Sequence, residues 1–102
     1  MKKTFQLQVE GKNPDRVLES LTHEVRKYVK RERARDLPKG VDFWDFDCRF
    51  GVSPEAAMPV HLNDITSLMQ ATAKEAGVQC YVEIVAKHGV RTPRPVIQPD
   101  SN

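Results

Sequence analysis

The chain has 102 residues, of which 39% are hydrophobic and 29% are charged, and its net charge at pH 7 is +2. This length supports one modest hydrophobic core but not two, and the composition is ordinary for a soluble globular protein. The sequence shows neither a hydrophobic signal-peptide core nor a membrane-spanning stretch. We therefore expect a single cytosolic domain over residues 1–90, with no cofactor and no membrane contact, and a disordered or extended proline-containing tail over residues 91–102.

The first two predicted elements are a strand and a long helix. Polar and apolar residues alternate from Thr4 to Val9, which predicts a strand with one buried face. The run Asn13-Pro14-Asp15 predicts a helix start, because it combines a capping side chain, a proline at the first helical position and an acid in the first turn. The apolar spacing extends this helix from about residue 14 to about residue 35.

The second predicted strand, which alternates strictly from Trp44 to Phe50, is the most informative stretch of the chain. Its aromatic residues and Cys48 share one face, while two aspartates and an arginine share the other. A second helix is predicted from about residue 62 to about residue 76, where Gly77 stops it. A third strand follows from about residue 78 to about residue 87.

These elements predict an α/β two-layer open sandwich of the order β-α-β-α-β. Each strand offers one apolar face, so both helices should cover the same face of a small three-stranded sheet. Right-handed crossovers on one side then require three parallel strands in the order 1-2-3. An antiparallel arrangement stays open if part of residues 51–61 crosses back, and Pro59 to Leu62 would then supply a short fourth strand.

The outward residues of the second and third strands form the first candidate site, which we call the outer sheet face. Cross-strand pairs of opposite charge would explain such a face without any ligand. Two aspartates and a glutamate beside a lysine also resemble, in composition, the centre of a metal-dependent hydrolase. The candidate residues are Asp45, Asp47, Arg49, Tyr81, Glu83 and Lys87.

The second half of the first helix carries the second candidate site, which we call the basic stripe. Three of its cations follow each other at positions i, i+4 and i+7, a spacing that can track phosphates. The alternatives are a solvated face that favours the helix dipole, or pairing of this helix end with the aspartates of the second strand. The only aromatic residue in this region, Tyr28, lies on the apolar arc, so base stacking is not indicated. The stripe consists of Arg26, Lys27, Lys30, Arg31 and Arg33, and Arg91 and Arg94 of the tail would extend it.

The cysteines and histidines give no sign of conventional catalysis. Cys48 and Cys80 fit no common zinc or redox spacing, and both fall on the apolar phase of predicted strands. We therefore expect buried, reduced thiols. The sequence also has no metal-binding histidine pair, no serine elbow and no glycine-rich phosphate loop. These features favour a binding protein over an enzyme.

Several runs of the sequence resemble a family of small bacterial proteins of unknown function. The most specific are the basic run Lys30-Arg31-Glu32-Arg33 and the strand that begins Asp42-Phe43-Trp44-Asp45-Phe46-Asp47-Cys48. The opening Met1 to Leu7, and Tyr81 to Ile84 with Arg91-Thr92, look similar as well. The resemblance implies a stand-alone bacterial cytosolic protein, and it carries over no catalytic residue.

Three functional hypotheses follow from the sequence. The first is a module that binds a polyanion, RNA in particular, through the basic stripe. The second is a protein-interaction or self-associating module that uses the outer sheet face or an unpaired sheet edge. The third is a metal-dependent hydrolase built on Asp45, Asp47 and Glu83.

Overall fold

Four antiparallel strands and two helices build the domain. The structure is a computed structural model, and it describes residues 1–91. A 3₁₀ turn at Leu62–Asp64 leads directly into the second helix. The elements are β1 (Lys2–Gln6), α1 (Pro14–Arg33), β2 (Phe43–Gly51), β3 (Met58–Val60), α2 (Ile65–Lys74) and β4 (Gln79–Gly89).

The predicted three-stranded parallel layout is wrong, although the α/β class is right. The sheet has four strands in the order β1-β4-β2-β3, and every neighbouring pair is antiparallel. After β2 the chain turns back and forms β3 antiparallel to β2. Helix α2 then leads to β4, which lies between β1 and β2 and is antiparallel to both. β1 and β2 are parallel to each other, because both are antiparallel to β4, but they are not neighbours. The crossover rule sets the hand of the connection between them and does not exclude a strand inserted between them, which the prediction overlooked.

The alternation predicted for β2 is confirmed by its pairing with β4. Cys48 lies opposite Ile84 and Phe50 lies opposite Val82, on the face that the helices cover. The two β4 residues are completely buried, and Cys48 is 5% exposed. The charged residues of β2 therefore point to the other face, as the period of two requires.

The long helix α1 begins where the sequence predicts. The Oδ1 atom of Asn13 accepts a hydrogen bond from the backbone N–H of Asp15 at 2.8 Å, and Pro14 is the first helical residue. Val25 and Val29 bury one side of α1 in the core, while Ile65 and Met69 of α2 are fully buried in the same cluster. Both helices thus share one hydrophobic core with the inner face of the sheet.

Two further predictions concern a membrane-spanning segment, which was not expected, and the proline-containing tail. Within residues 1–91, neither helix combines the length and the apolar character needed to cross a membrane. The predicted tail lies outside the described residues except for Arg91, whose backbone N–H donates to Asp42 at 2.7 Å.

The core contains both cysteines as free, buried thiols. Burial raises the pKa of Cys48 and of Cys80 from 9.0 to about 11, and for Cys48 the nearby Asp47 and Asp45 carboxylates add to the effect. A thiol must ionise to react as a nucleophile. The native fold therefore protects both side chains in two ways, by burial and by keeping them protonated.

We expect native protein at pH 8 to resist labelling by a disulfide reagent such as dithionitrobenzoate, and urea to release both thiols. Above pH 9 the thiols of the unfolded chain ionise while those of the folded chain stay neutral, so the free energy of unfolding should fall between pH 9 and pH 11. A Cys80→Ala variant should show a shallower decline, measured by urea titration. Rapid labelling of both thiols in the native protein would contradict this account.

Candidate functional site

Three charged residues of the outer sheet face, Asp45, Asp47 and Lys87, are paired with one another. Asp45 lies opposite Lys87 in the register, and Arg49 lies opposite Glu83. The Nζ atom of Lys87 is 2.7 Å from Oδ1 of Asp47 and 3.8 Å from Oδ2 of Asp45. The hydrogen bond to Asp47 raises the pKa of Lys87. Charge compensation by Lys87 across the strand pair therefore explains the two aspartates of β2 without a ligand.

The remaining residues of this face also have partners inside the protein. The hydroxyl of Tyr81 donates to Oε1 of Glu83 at 2.8 Å, and this hydrogen bond raises the pKa of Tyr81. The Nη2 atom of Arg49 donates to the backbone oxygen of Ala57 at 2.7 Å. Each of the six candidate residues of this face therefore has at least one polar partner inside the protein.

The outer sheet face is also less open than the sequence predicts, because the loop between β2 and β3 folds over one end of it. Ala57 of this loop is 3% exposed, and the side chain of Gln79 donates to the backbone oxygen of Val52 at 2.9 Å. Tyr81 lies opposite Gly51 and is only 8% exposed. The loop therefore converts part of a predicted open surface into a small second core.

The hydrolase hypothesis gains no support from this geometry. Lys87 occupies the space between Asp45 and Asp47, and Tyr81 holds Glu83. Among residues 1–91, no three histidine, cysteine, aspartate or glutamate side chains form a group that could hold a metal ion.

The basic stripe, in contrast, borders a groove between the two helices. Arg26, Lys30 and Arg33 line one wall, and the other wall comes from the 3₁₀ turn and α2, with the Asn63 amide and the Thr66 hydroxyl. The groove has a volume of about 390 Å³, and none of its lining residues is acidic. The three cations that the sequence places at i, i+4 and i+7 thus share one concave surface.

The other two residues of the stripe lie outside this groove. Lys27 and Arg31 are exposed, and the Arg31 guanidinium lies 5.5 Å from the centre of the Tyr28 ring. The structure therefore brings three of the five predicted residues together and leaves two at the flank. Arg94, which the sequence adds to the stripe, lies outside the described residues.

Two acidic residues of α1 are paired with cations that do not belong to the stripe. Glu24 bonds to Lys3 at 2.8 Å, and Glu32 bonds to Arg35 at 2.9 Å. The alternative that this helix end pairs with the aspartates of the second strand is not seen, because Asp45 and Asp47 bond to Lys87. Within residues 1–91, no ion pair involves a residue of the basic stripe.

Aromatic residues of β2 lie beside the basic end of α1. The indole N–H of Trp44 donates to the backbone oxygen of Arg35 at 2.9 Å, and the Arg35 guanidinium lies 4.7 Å from the centre of the indole ring. The Arg33 guanidinium lies 5.5 Å from the centre of the Phe46 ring. The sequence did not predict these arginine–aromatic contacts, because only aromatic residues within the helix were considered. Here they come from the next strand.

A separate and larger groove of about 700 Å³ lies between the free edge of β1 and the first half of α1. Phe5, Val17 and Leu21 contribute apolar lining, and Lys12 and Arg16 contribute positive charge. No sequence pattern predicted this groove.

Comparison with known proteins assigns the chain to a family without assigning an activity. Residues 1–95 match the model of a family described as "Family of unknown function (DUF6172)", and the chain belongs to that family. Neither the curated proteins nor the solved structures gave a match.

The loop over the outer sheet face requires a glycine at position 51. A Cβ atom on Gly51 would lie 2.7 Å from the Cα atom of Ala57, whereas a Cβ atom on Gly89 would meet only the side chain of Phe43, which is 37% exposed. The backbone of Ala57 cannot move aside, whereas the partly exposed ring of Phe43 can. We expect Gly51→Ala to lower the free energy of unfolding by about 1–3 kcal/mol and Gly89→Ala to lower it by less, in urea titrations. Equal effects would contradict the close packing of the loop.

Proposed function

We propose that this member of DUF6172 is a cytosolic protein that binds RNA through the basic stripe. The observation that carries the proposal is the groove in which Arg26, Lys30 and Arg33 converge and whose lining contains no acidic residue. The buried free thiols fit a reducing compartment such as the cytosol.

The dimensions of the groove suit a phosphate backbone. Arg26 and Arg33 are seven helical positions apart, which corresponds to roughly 10 Å along α1 at about 1.5 Å per residue. A nucleic-acid strand in a duplex carries one phosphate per roughly 3.4 Å of axis, so the groove can contact more than one phosphate. The two guanidinium groups can each bind a phosphate in bidentate fashion, and Lys30 adds a point charge between them.

Charge distribution also favours a polyanion over a neutral partner. The net charge of the chain is only +2, yet the groove gathers three cations and no acidic lining residue. Glu24 and Glu32 of the same helix bond to Lys3 and Arg35, and the two aspartates of β2 bond to Lys87. A locally positive surface of this kind attracts a polyanion even when the net charge is small.

Affinity for single-stranded RNA should fall steeply with salt. Three phosphate contacts predict a slope of roughly −2 in a plot of log K against log salt concentration, because each contact to a single strand contributes about −0.7. Fluorescence-anisotropy titrations at several salt concentrations measure this slope. An affinity that does not change with salt would contradict phosphate binding.

Charge reversal in the groove tests the same contacts directly. We expect a triple variant that carries Arg26→Glu, Lys30→Glu and Arg33→Glu to lose binding, because three carboxylates then repel the phosphates that three cations attracted. The matched control reverses Lys12, Lys39 and Lys74, which are exposed and lie outside the groove. It changes the net charge by the same amount and should retain most of the affinity.

Circular dichroism of both triple variants checks that they are folded. Equal binding by the groove variant and the parent would overturn the proposal, as would equal losses in the groove variant and the control.

A second candidate function is the capture of an extended acidic peptide by the free edge of β1. Met1 and Ile84 exchange backbone hydrogen bonds at 2.6 and 2.7 Å, so the backbone of Thr4, three residues further on, faces away from β4. An extended peptide can pair with such an edge, and the neighbouring groove offers apolar surface together with Lys12 and Arg16. Like charges oppose self-pairing of two copies at this edge.

Thr4→Pro provides a test, because proline removes an N–H that β4 does not use and is tolerated on edge strands. Thr4→Val is the matched control, since it keeps the N–H. In titrations with extended acidic peptides, binding by the Val variant and loss of binding by the Pro variant would support the edge function. Binding by the folded Pro variant as strong as that of the parent would argue against it.

A further inference from the structure

The basic groove continues into a second hollow at its Arg33 end. This hollow has a volume of about 320 Å³, and it shares Arg33, Leu62 and Asn63 with the groove. Small-molecule sites begin at about 300 Å³. The hollow is therefore large enough for one planar ring system and too small for a base pair within a duplex.

The hollow exists because β3 is short. β3 pairs with β2 only from Cys48 to Phe50, so the first half of β2 has no partner strand on that side. The N–H of Phe46 is instead satisfied by Oδ1 of Asp45 at 2.8 Å. The chain that follows β3 supplies His61 on the other side of the opening.

The lining of the hollow changes from cationic to aromatic. Arg33 stands at the junction with the groove, and the space beyond it is lined by Phe43, Trp44, Phe46 and His61. The indole N–H of Trp44 is already bonded to the Arg35 backbone, and the Arg35 guanidinium lies 4.7 Å from the ring centre, so the indole offers the hollow the ring surface that Arg35 leaves uncovered. Aromatic side chains beside a phosphate-binding arginine form the combination on which bases of a single strand stack.

A carboxylate distinguishes the hollow from the groove, whose lining contains no acidic residue. Asp45 lines the hollow, and its second oxygen lies 3.8 Å from Lys87. An acidic group disfavours phosphate there but can accept a hydrogen bond from the N–H groups of a base. Phosphate is therefore favoured in the groove and a base in the hollow.

Resting on the proposed RNA binding, we infer that the hollow takes one nucleobase of a single strand whose phosphates lie along the basic groove. A base in a duplex is paired and stacked and cannot enter. The protein thus selects single-stranded RNA, or a loop with an unstacked base, over double-stranded RNA. The aromatic partner that the sequence did not indicate for the stripe comes from β2.

Trp44 is the only tryptophan of the chain, so its fluorescence reports on the hollow directly. The probes are a short oligouridylate, an inorganic polyphosphate of matched length and a duplex of the same length. We expect anisotropy or competition to show binding of oligouridylate and polyphosphate, and only oligouridylate to quench Trp44. Quenching by polyphosphate to the same extent, or binding of oligouridylate without quenching, would overturn the inference.

A variant in the hollow separates base from phosphate. His61 lines the hollow but not the groove, and it is exposed, so His61→Ala should fold normally. We expect a roughly tenfold loss of affinity for oligouridylate and no loss for polyphosphate. His23→Ala, which changes an exposed histidine of α1 outside both spaces, is the control and should alter neither affinity.

The two levels of the proposal fail in different ways. If neither oligouridylate nor polyphosphate binds, RNA binding itself is refuted, and the base site with it. If both bind the parent and His61→Ala with unchanged affinity while Trp44 stays silent, the groove binds phosphate and the base site is refuted. Tighter binding of the duplex than of oligouridylate would also refute the base site.

Discussion

The pairing of β4 with both β1 and β2 is the interaction on which the rest of the structure depends. It places the fully buried Val82 and Ile84 at the centre of the sheet, where both helices cover them. It also brings Lys87 across from Asp45, so the acidic residues of β2 are neutralised within the sheet. In the described chain the cations of the basic stripe form no ion pair and remain available.

Much of the local structure could be predicted from sequence because it is set by neighbours. The Asn13-Pro14-Asp15 cap fixes the start of α1, and the period of two assigns each residue of β2 to a face. The strand order could not be predicted in this way. It depends on β3, which has only three residues, contains Pro59 and is too short to show a period of its own.

The same distinction between local and long-range structure applies to the candidate site. The stripe on α1 could be located because Arg26, Lys30 and Arg33 lie on one helix, where spacing alone defines a common face. The opposite wall, with Asn63 and Thr66, and the aromatic hollow beyond Arg33 depend on how distant segments pack. Sequence spacing carries no information about such contacts. Residues of a site that share one helix are therefore easier to predict than the residues from other segments that pack beside them.

The short β3 has a consequence for the way this sheet can grow. One border of the sheet is interrupted by Pro59 and by the Asp45 carboxylate that covers the N–H of Phe46. The other border, β1, is unobstructed but is surrounded by lysine and arginine side chains. An endless edge-to-edge ribbon of copies would need two open borders on each copy, and residues 1–91 provide one. The described domain therefore leaves β1 open for one added strand and disfavours growth of the sheet from the β3 border.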